Sequence, residues 1–133
     1  MSSEISISCL IDTDIVIDYL RRREYAKELL ERFYREGMLA ISVITHLEVY
    51  QGMKPGEEER TNAFLDGFSS VPVNVFLARK AGKLLSELRA RGVTIGMADA
   101  IIGATALSLN VPLLTNNAEH YPFLGLQLIK GMT

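Results

Sequence analysis

Acidic residues follow several of the short apolar segments of this sequence. Asp12 ends the apolar run 5–11, Glu48 comes soon after a second run, and Asp99 opens a later segment rich in small residues. Carboxylates held together without cationic neighbours repel one another, so their pKa values rise or they bind a hard cation. Mg²⁺ and Mn²⁺ suit such oxygen-only ligands, and a cation there can activate water for attack on a phosphodiester. The sequence therefore predicts a divalent-cation site built on Asp12, Glu48 and Asp99.

A fourth group of polar residues follows the apolar run 111–115. It contains Asn116, Asn117 and Glu119. The amide oxygen of Asn117 can bind a cation or a cation-bound water, but it adds no charge. We include Asn117 among the candidate catalytic residues, and the sequence leaves open whether Asn117 or Glu119 completes the site.

Each of the three acids also has a purely structural interpretation. Asp12 could only cap the first helix, and Asp99 could only complement a helix dipole. Glu48 could complete a capping box with Thr45, because the two stand three residues apart. We favour a functional site because all three acids fall where neighbouring elements would meet at one edge of a sheet.

The elements that would position these residues are short apolar strands alternating with helical patterns. Strands are predicted over 5–11, 38–43, 71–75, 111–115 and 126–129. Helices are predicted over 14–20, 25–36, 45–52, from the turn at 55–56 to about 67, 76–91 and 98–109. The alternation predicts an α/β fold with a central parallel sheet covered on both faces. Sites in such sheets form beyond the carboxyl ends of the strands, which is where the acids lie.

Length and composition restrict the class of protein. The 133 residues, 48% of them hydrophobic, fit one domain over 1–133 with a packed core. The formal net charge of -2 does not favour nucleic-acid binding through overall positive charge, so an RNA contact would need a local basic patch or a bound cation. The single cysteine, Cys9, suits a reducing cytoplasm. Because no apolar stretch approaches the roughly 18 residues of a membrane span, we predict a cytoplasmic protein without membrane association.

Four segments resemble the motif blocks of PIN-domain proteins. They are LIDTDIVIDYL at 10–20, ISVITHLEVYQGM at 41–53, IGMADAIIGATAL at 95–107 and PLLTNNAEHY at 112–121. The blocks occur in the family's order over nearly the whole chain, and the sequence is most similar to the VapC-type toxin ribonucleases. Asp12, Glu48 and Asp99 match the family's first three acidic positions. The chain departs from the usual pattern at Asp14, often asparagine in relatives, and at Asn117, where aspartate is common.

The resemblance implies a fold, an activity and partners. The fold would be a Rossmann-like α/β/α sandwich, the PIN-like fold. The activity would be Mg²⁺- or Mn²⁺-dependent cleavage of single-stranded or loop RNA, with the chain acting as the toxin of a type II toxin–antitoxin pair. The expected partners are an RNA substrate, a small DNA-binding antitoxin and a second copy of the chain in a homodimer.

Two alternative functions remain at this point. One is a PIN nuclease that processes RNA as a housekeeping enzyme. The other is a phosphatase of the haloacid-dehalogenase type, because LIDTDIV fits the start motif of those enzymes, with Asp12 as nucleophile and Asp14 as acid/base. A helical pattern follows that motif directly and no lysine stands in a convincing loop before Asp99, so the phosphatase is the weaker alternative.

Overall fold

A computed structural model describes residues 6–132 and places their five strands in one parallel sheet of order β3-β2-β1-β4-β5. The strands are β1 Ile7–Ile11, β2 Met38–Ser42, β3 Ser69–Val71, β4 Leu113–Thr115 and β5 Leu128–Lys130. The helices are α1 Thr13–Leu20, α2 Glu24–Tyr34, α3 Val43–Gln51, α4 Glu58–Leu65, α5 Val75–Ala90 and α6 Met97–Leu109, followed by a short 3-10 helix at Ala118–His120. Residue 5 of the predicted first strand lies outside the described residues.

Alternate residues of β1 pack on opposite faces of the sheet. Cys9 and Ile11 belong to a core cluster that includes Leu30 of α2. Leu10, between them, belongs to a second cluster with Ile102 of α6. Because both faces of a central parallel strand are covered, the last three residues of β1 are all apolar and buried rather than alternating between polar and apolar. The predicted parallel sheet with helices on both faces is confirmed.

The strand that ends at the first acid lies in the middle of the sheet. Strand β1 pairs with β2 on one side and with β4 on the other, both in parallel. The backbone N–H of Asp12 extends the β4 pairing by donating to the carbonyl of Leu114 at 2.9 Å. The ends of β1, β2 and β4 therefore meet at one edge of the sheet, and Asp12 is held there by the backbone.

The third strand differs from its prediction. A strand over 71–75 is wrong, because β3 ends at Val71 and α5 already begins at Val75. Pro72 has no N–H to continue a ladder. Asn74 then caps α5, its Oδ1 accepting from the backbone N–H of Leu77 at 2.9 Å.

Helix α3 begins two residues earlier than predicted. Its N-cap is Ser42, whose Oγ accepts from the backbone N–H of Ile44 at 3.1 Å. Thr45 therefore lies inside the helix and is completely buried. The capping-box interpretation of Thr45 and Glu48 is wrong, since Ser42 is the N-cap and Glu48 lies six residues beyond it.

Small residues let α6 pack tightly against its surroundings. Ala100, Ala104 and Ala106 are fully buried. At Gly103 an added Cβ would lie 2.1 Å from the ring of Phe123, so no side chain fits there without moving that ring. The contact ties the segment after β4 to α6. None of the helices within residues 6–132 is both long enough and apolar enough to cross a membrane.

Candidate functional site

Asp12 is at once a helix cap and a buried acid at the sheet edge. It is the N-cap of α1, and its Oδ1 accepts from the backbone N–H of Thr13 at 2.8 Å. Its Oδ2 accepts from the hydroxyl of Thr115 at 2.7 Å, and only 5% of the residue is exposed. The capping interpretation is therefore correct for Asp12 and does not conflict with a place in the site.

The electrostatic environment of the first helix turn disfavours ionised carboxylates. Burial, and after it the charge of Asp14, raise the pKa of Asp12 to about 7, against the opposing effect of hydrogen bonds from Thr115, Tyr121 and Thr13. Burial also raises the pKa of Asp14. Clustered carboxyl groups with raised pKa values are the pattern expected where a cation or a proton is to be bound.

Glu48 is joined to Asp12 through Thr13. The Thr13 hydroxyl donates to Oε1 of Glu48 at 2.7 Å, and it lies 2.9 Å from the hydroxyl of Thr45. Each hydroxyl has one hydrogen, so Thr45 donates to Thr13 while Thr13 donates to Glu48. The backbone N–H of the same Thr13 is bound to Asp12. One residue thus holds two of the predicted acids side by side.

Asp99 stands in the first turn of α6 and contacts two aromatic side chains. Its Oδ1 accepts from the hydroxyl of Tyr121 at 3.2 Å, and its Oδ2 lies 3.3 Å from Nδ1 of His120. Tyr121 is only 2% exposed. Burial and the neighbouring carboxylates of Asp12 and Asp99 raise the pKa of Tyr121, so it remains a protonated donor.

The turn after β4 encloses Asp14. Its Oδ2 accepts from the backbone N–H of Asn116 and from Nδ2 of Asn117, both at 2.9 Å. Asn117 is itself held in place, because its backbone N–H donates to the Thr115 hydroxyl at 2.9 Å. Among the described side chains, these hydrogen bonds involve Asn117 and not the exposed Glu119.

The predicted acids are neighbours but do not form a ready-made ligand shell. Thr13 joins Asp12 to Glu48, and Tyr121 lies against both Asp12 and Asp99. Within the part of the chain that the structure describes, no three histidine, cysteine or acidic side chains are close enough to hold a metal ion. Binding one cation at all of these acids would require them to exchange some of these hydrogen bonds for the metal.

Sequence reasoning missed the hydroxyl groups that arrange the acids. Thr13, Thr45 and Tyr121 are buried, and each donates a hydrogen bond at the site. Buried hydroxyl groups need hydrogen-bond partners, but the sequence alone did not show that these three residues are buried. His120 lies half exposed, and its Nδ1 is 3.3 Å from Oδ2 of Asp99.

Comparisons with known proteins agree on one family. The model of the PIN domain matches residues 9–122. Ribonuclease VapC10 of Mycobacterium tuberculosis is 34% identical over 113 residues, which is 85% of this chain and 85% of the relative.

Solved structures show the same similarity. A toxin–antitoxin complex from Klebsiella pneumoniae contains a chain that is 32% identical, with a TM-score of 0.79 over 93% of this chain and 98% of that one. In the complex of VapBC2 from Rickettsia felis with a promoter DNA fragment, the similar chain is 25% identical, with a TM-score of 0.81 and the same coverage.

Proposed function

The chain belongs to the PIN-domain family and, within it, to the VapC-type ribonucleases, and on this basis we propose that it is the endoribonuclease toxin of a toxin–antitoxin pair. The observation that carries the proposal is the hydrogen-bonded group of Asp12, Glu48 and Asp99 at the carboxyl edge of the sheet. The phosphatase alternative is contradicted by the family match. The relatives that match most of this chain are VapC ribonucleases, so they favour a toxin over a housekeeping RNA-processing enzyme.

Mg²⁺ or Mn²⁺ fits the chemistry of this group. The candidate ligands are the oxygens of Asp12, Glu48 and Asp99, and carboxylate oxygens are the ligands that these cations prefer. Asn117 would contribute its Oδ1, since its Nδ2 is used on Asp14. When bound, the cation would supply a Lewis acid for the phosphodiester and lower the pKa of water.

The chain's own residues prepare the site for RNA. Thr13 and Thr115 hold the carboxylates of Glu48 and Asp12 in fixed orientations. Asp14 holds the turn that carries Asn117. His120, half exposed next to Asp99, would donate a hydrogen bond to a phosphate oxygen of the RNA.

The purified chain, freed of any partner, should cut RNA at single-stranded or loop positions when Mg²⁺ or Mn²⁺ is supplied. Cleavage should stop in excess chelator and return when the metal is restored. Product analysis of a structured RNA on a denaturing gel measures both effects. Full cleavage in chelator would contradict the metal mechanism, whereas phosphate release from small phosphomonoesters without RNA cleavage would contradict the nuclease itself.

We further propose that the antitoxin binds a groove between α1, α2 and α4. Two cavities of about 630 and 330 Å³ are both lined by Tyr19, Ala63 and Phe64. The rings of Tyr19 and Phe64 stack, with their centroids 4.1 Å apart. The larger cavity also has four basic lining residues, Arg22, Arg23, Lys27 and Arg60. An apolar floor with a basic rim fits a segment that carries both apolar and acidic side chains.

Ala63→Glu should weaken the complex with the antitoxin by on the order of tenfold or more, because it places a charge on the apolar floor of the groove. Ala63 is exposed, so the fold and RNA cleavage should be unchanged. The matched control is Ala78→Glu, at an exposed position of α5 outside the groove. Co-expression followed by titration of the purified components measures the affinity. Equal affinities for both variants would place the antitoxin elsewhere.

We also propose that the chain forms a homodimer and is located in the cytoplasm. Exposed apolar side chains on α5 and at the start of α6, among them Phe76 at 63% and Met97 at 74% exposure, offer a surface that a second copy could cover. Light scattering on the purified chain would give its mass in solution. The buried, unpaired thiol of Cys9 is compatible with a reducing cytoplasm.

A further inference from the structure

Tyr121 is buried in the core, yet its hydroxyl lies at the acidic site. The residue is 2% exposed, and its ring packs edge-on against Phe123, with centroids 6.4 Å apart. Phe123 itself is pressed against Gly103 of α6. Apolar packing therefore holds the ring in place, with its hydroxyl at the edge of the sheet where the acids lie.

The hydroxyl meets two carboxylates from different elements. It donates to Oδ1 of Asp99 at 3.2 Å, and it also lies against Asp12, which follows β1. A phenol supplies a single hydrogen, so it can donate to only one acid at a time. The contact fixes the orientation of Asp99 relative to Asp12 through a group that carries no charge.

We propose that Tyr121 is a positioning residue that holds the Asp12 and Asp99 carboxylates next to each other, so that both can turn towards one divalent cation when it binds. The inference rests on the proposed function, because it takes these acids as ligands. Partners that orient metal ligands typically change metal affinity by 10- to 100-fold when they are removed. A residue that only filled the core would contribute through its ring, which phenylalanine retains.

The test is the Mn²⁺ affinity of Tyr121→Phe, measured by titration calorimetry without RNA. The substitution removes one oxygen and keeps the ring against Phe123. We expect the Kd for Mn²⁺ to rise on the order of tenfold. The matched control is Tyr50→Phe, which loses a hydroxyl bonded to Asn62 and should keep the wild-type Kd. Thermal melts in chelator identify a titration temperature at which every variant is folded.

The outcomes separate this inference from the proposed function. A Kd of Tyr121→Phe within twofold of the wild-type value overturns the positioning role and leaves the nuclease intact. A wild-type chain that binds no Mn²⁺ also overturns it. A wild-type chain that binds Mn²⁺ but cuts no RNA, together with weaker binding by Tyr121→Phe, supports the positioning role while the nuclease proposal fails.

Discussion

Glu48→Gln is expected to lower RNA cleavage by about a hundredfold or more and to change the free energy of unfolding by less than about 1 kcal/mol. Glutamine keeps the side-chain length and a carbonyl oxygen, so it can still accept the hydrogen bond that Thr13 donates to Glu48. It removes one negative charge from the proposed cation site. Single-turnover cleavage at saturating Mn²⁺ and denaturant unfolding measure the two quantities.

The control for Glu48→Gln is the same substitution at Glu87, an exposed residue of α5. Glu87→Gln should cleave RNA at the wild-type rate, because surface substitutions away from a site rarely change function or stability greatly. Near-normal cleavage by Glu48→Gln would show that Glu48 only accepts the hydrogen bond from Thr13 and does not act in the reaction.

Asp99→Asn should reverse its effect on stability when metal is added. In chelator the variant should be as stable as the wild type or more stable, because it relieves repulsion among carboxylates that the fold holds close to Asp12. Asparagine can still accept from Tyr121, and the contact that Asp99 makes with the half-exposed His120 is a surface interaction of little weight for stability. With Mn²⁺ at a hundredfold excess over Kd, the wild type should gain about 2.7 kcal/mol and the variant much less.

Thermal melts across a Mn²⁺ series at about pH 8 decide between these roles, since the pKa of Asp12 is about 7 and its carboxyl is then mostly ionised. Asp66→Asn, at the exposed end of α4, serves as the control and should respond to Mn²⁺ like the wild type. If Asp99→Asn melts far below the wild type in chelator and both gain equally from metal, Asp99 is a structural residue.

Much of the fold could be predicted because buried strands and helix ends require particular residue types. The central strand β1 is apolar on both faces, and Gly92 follows α5 in a left-handed conformation of φ 79° that glycine adopts without strain. Once the strands were taken to be parallel, the edge that gathers Asp12, Glu48 and Asp99 followed from topology. No side-chain contact had to be known for that step.

The remaining errors arose where two local signals competed. Ser42 and Thr45 both carry hydroxyls suited to a helix cap, and only the end of β2 decides that Ser42 takes the role. Val71 and Val75 both favour a strand. Asn74, which stands between them, instead caps the helix α5 that begins at Val75. The contact between Tyr121 and Asp99 could not be predicted, because it depends on how the segment after β4 crosses α6.

The position of β1 between β2 and β4 has a consequence for the synthesis of the chain. Strand β1 finds its partner β4 only after more than a hundred further residues have been made, and Thr115 and Tyr121 reach Asp12 no earlier. Pairings of such large separation along the chain form late in folding. A nascent or truncated chain would carry the acids of the site without their arrangement. A ribonuclease built in this order would stay inactive towards the RNA around it until the segment that contains β4 and Tyr121 has been made and folded.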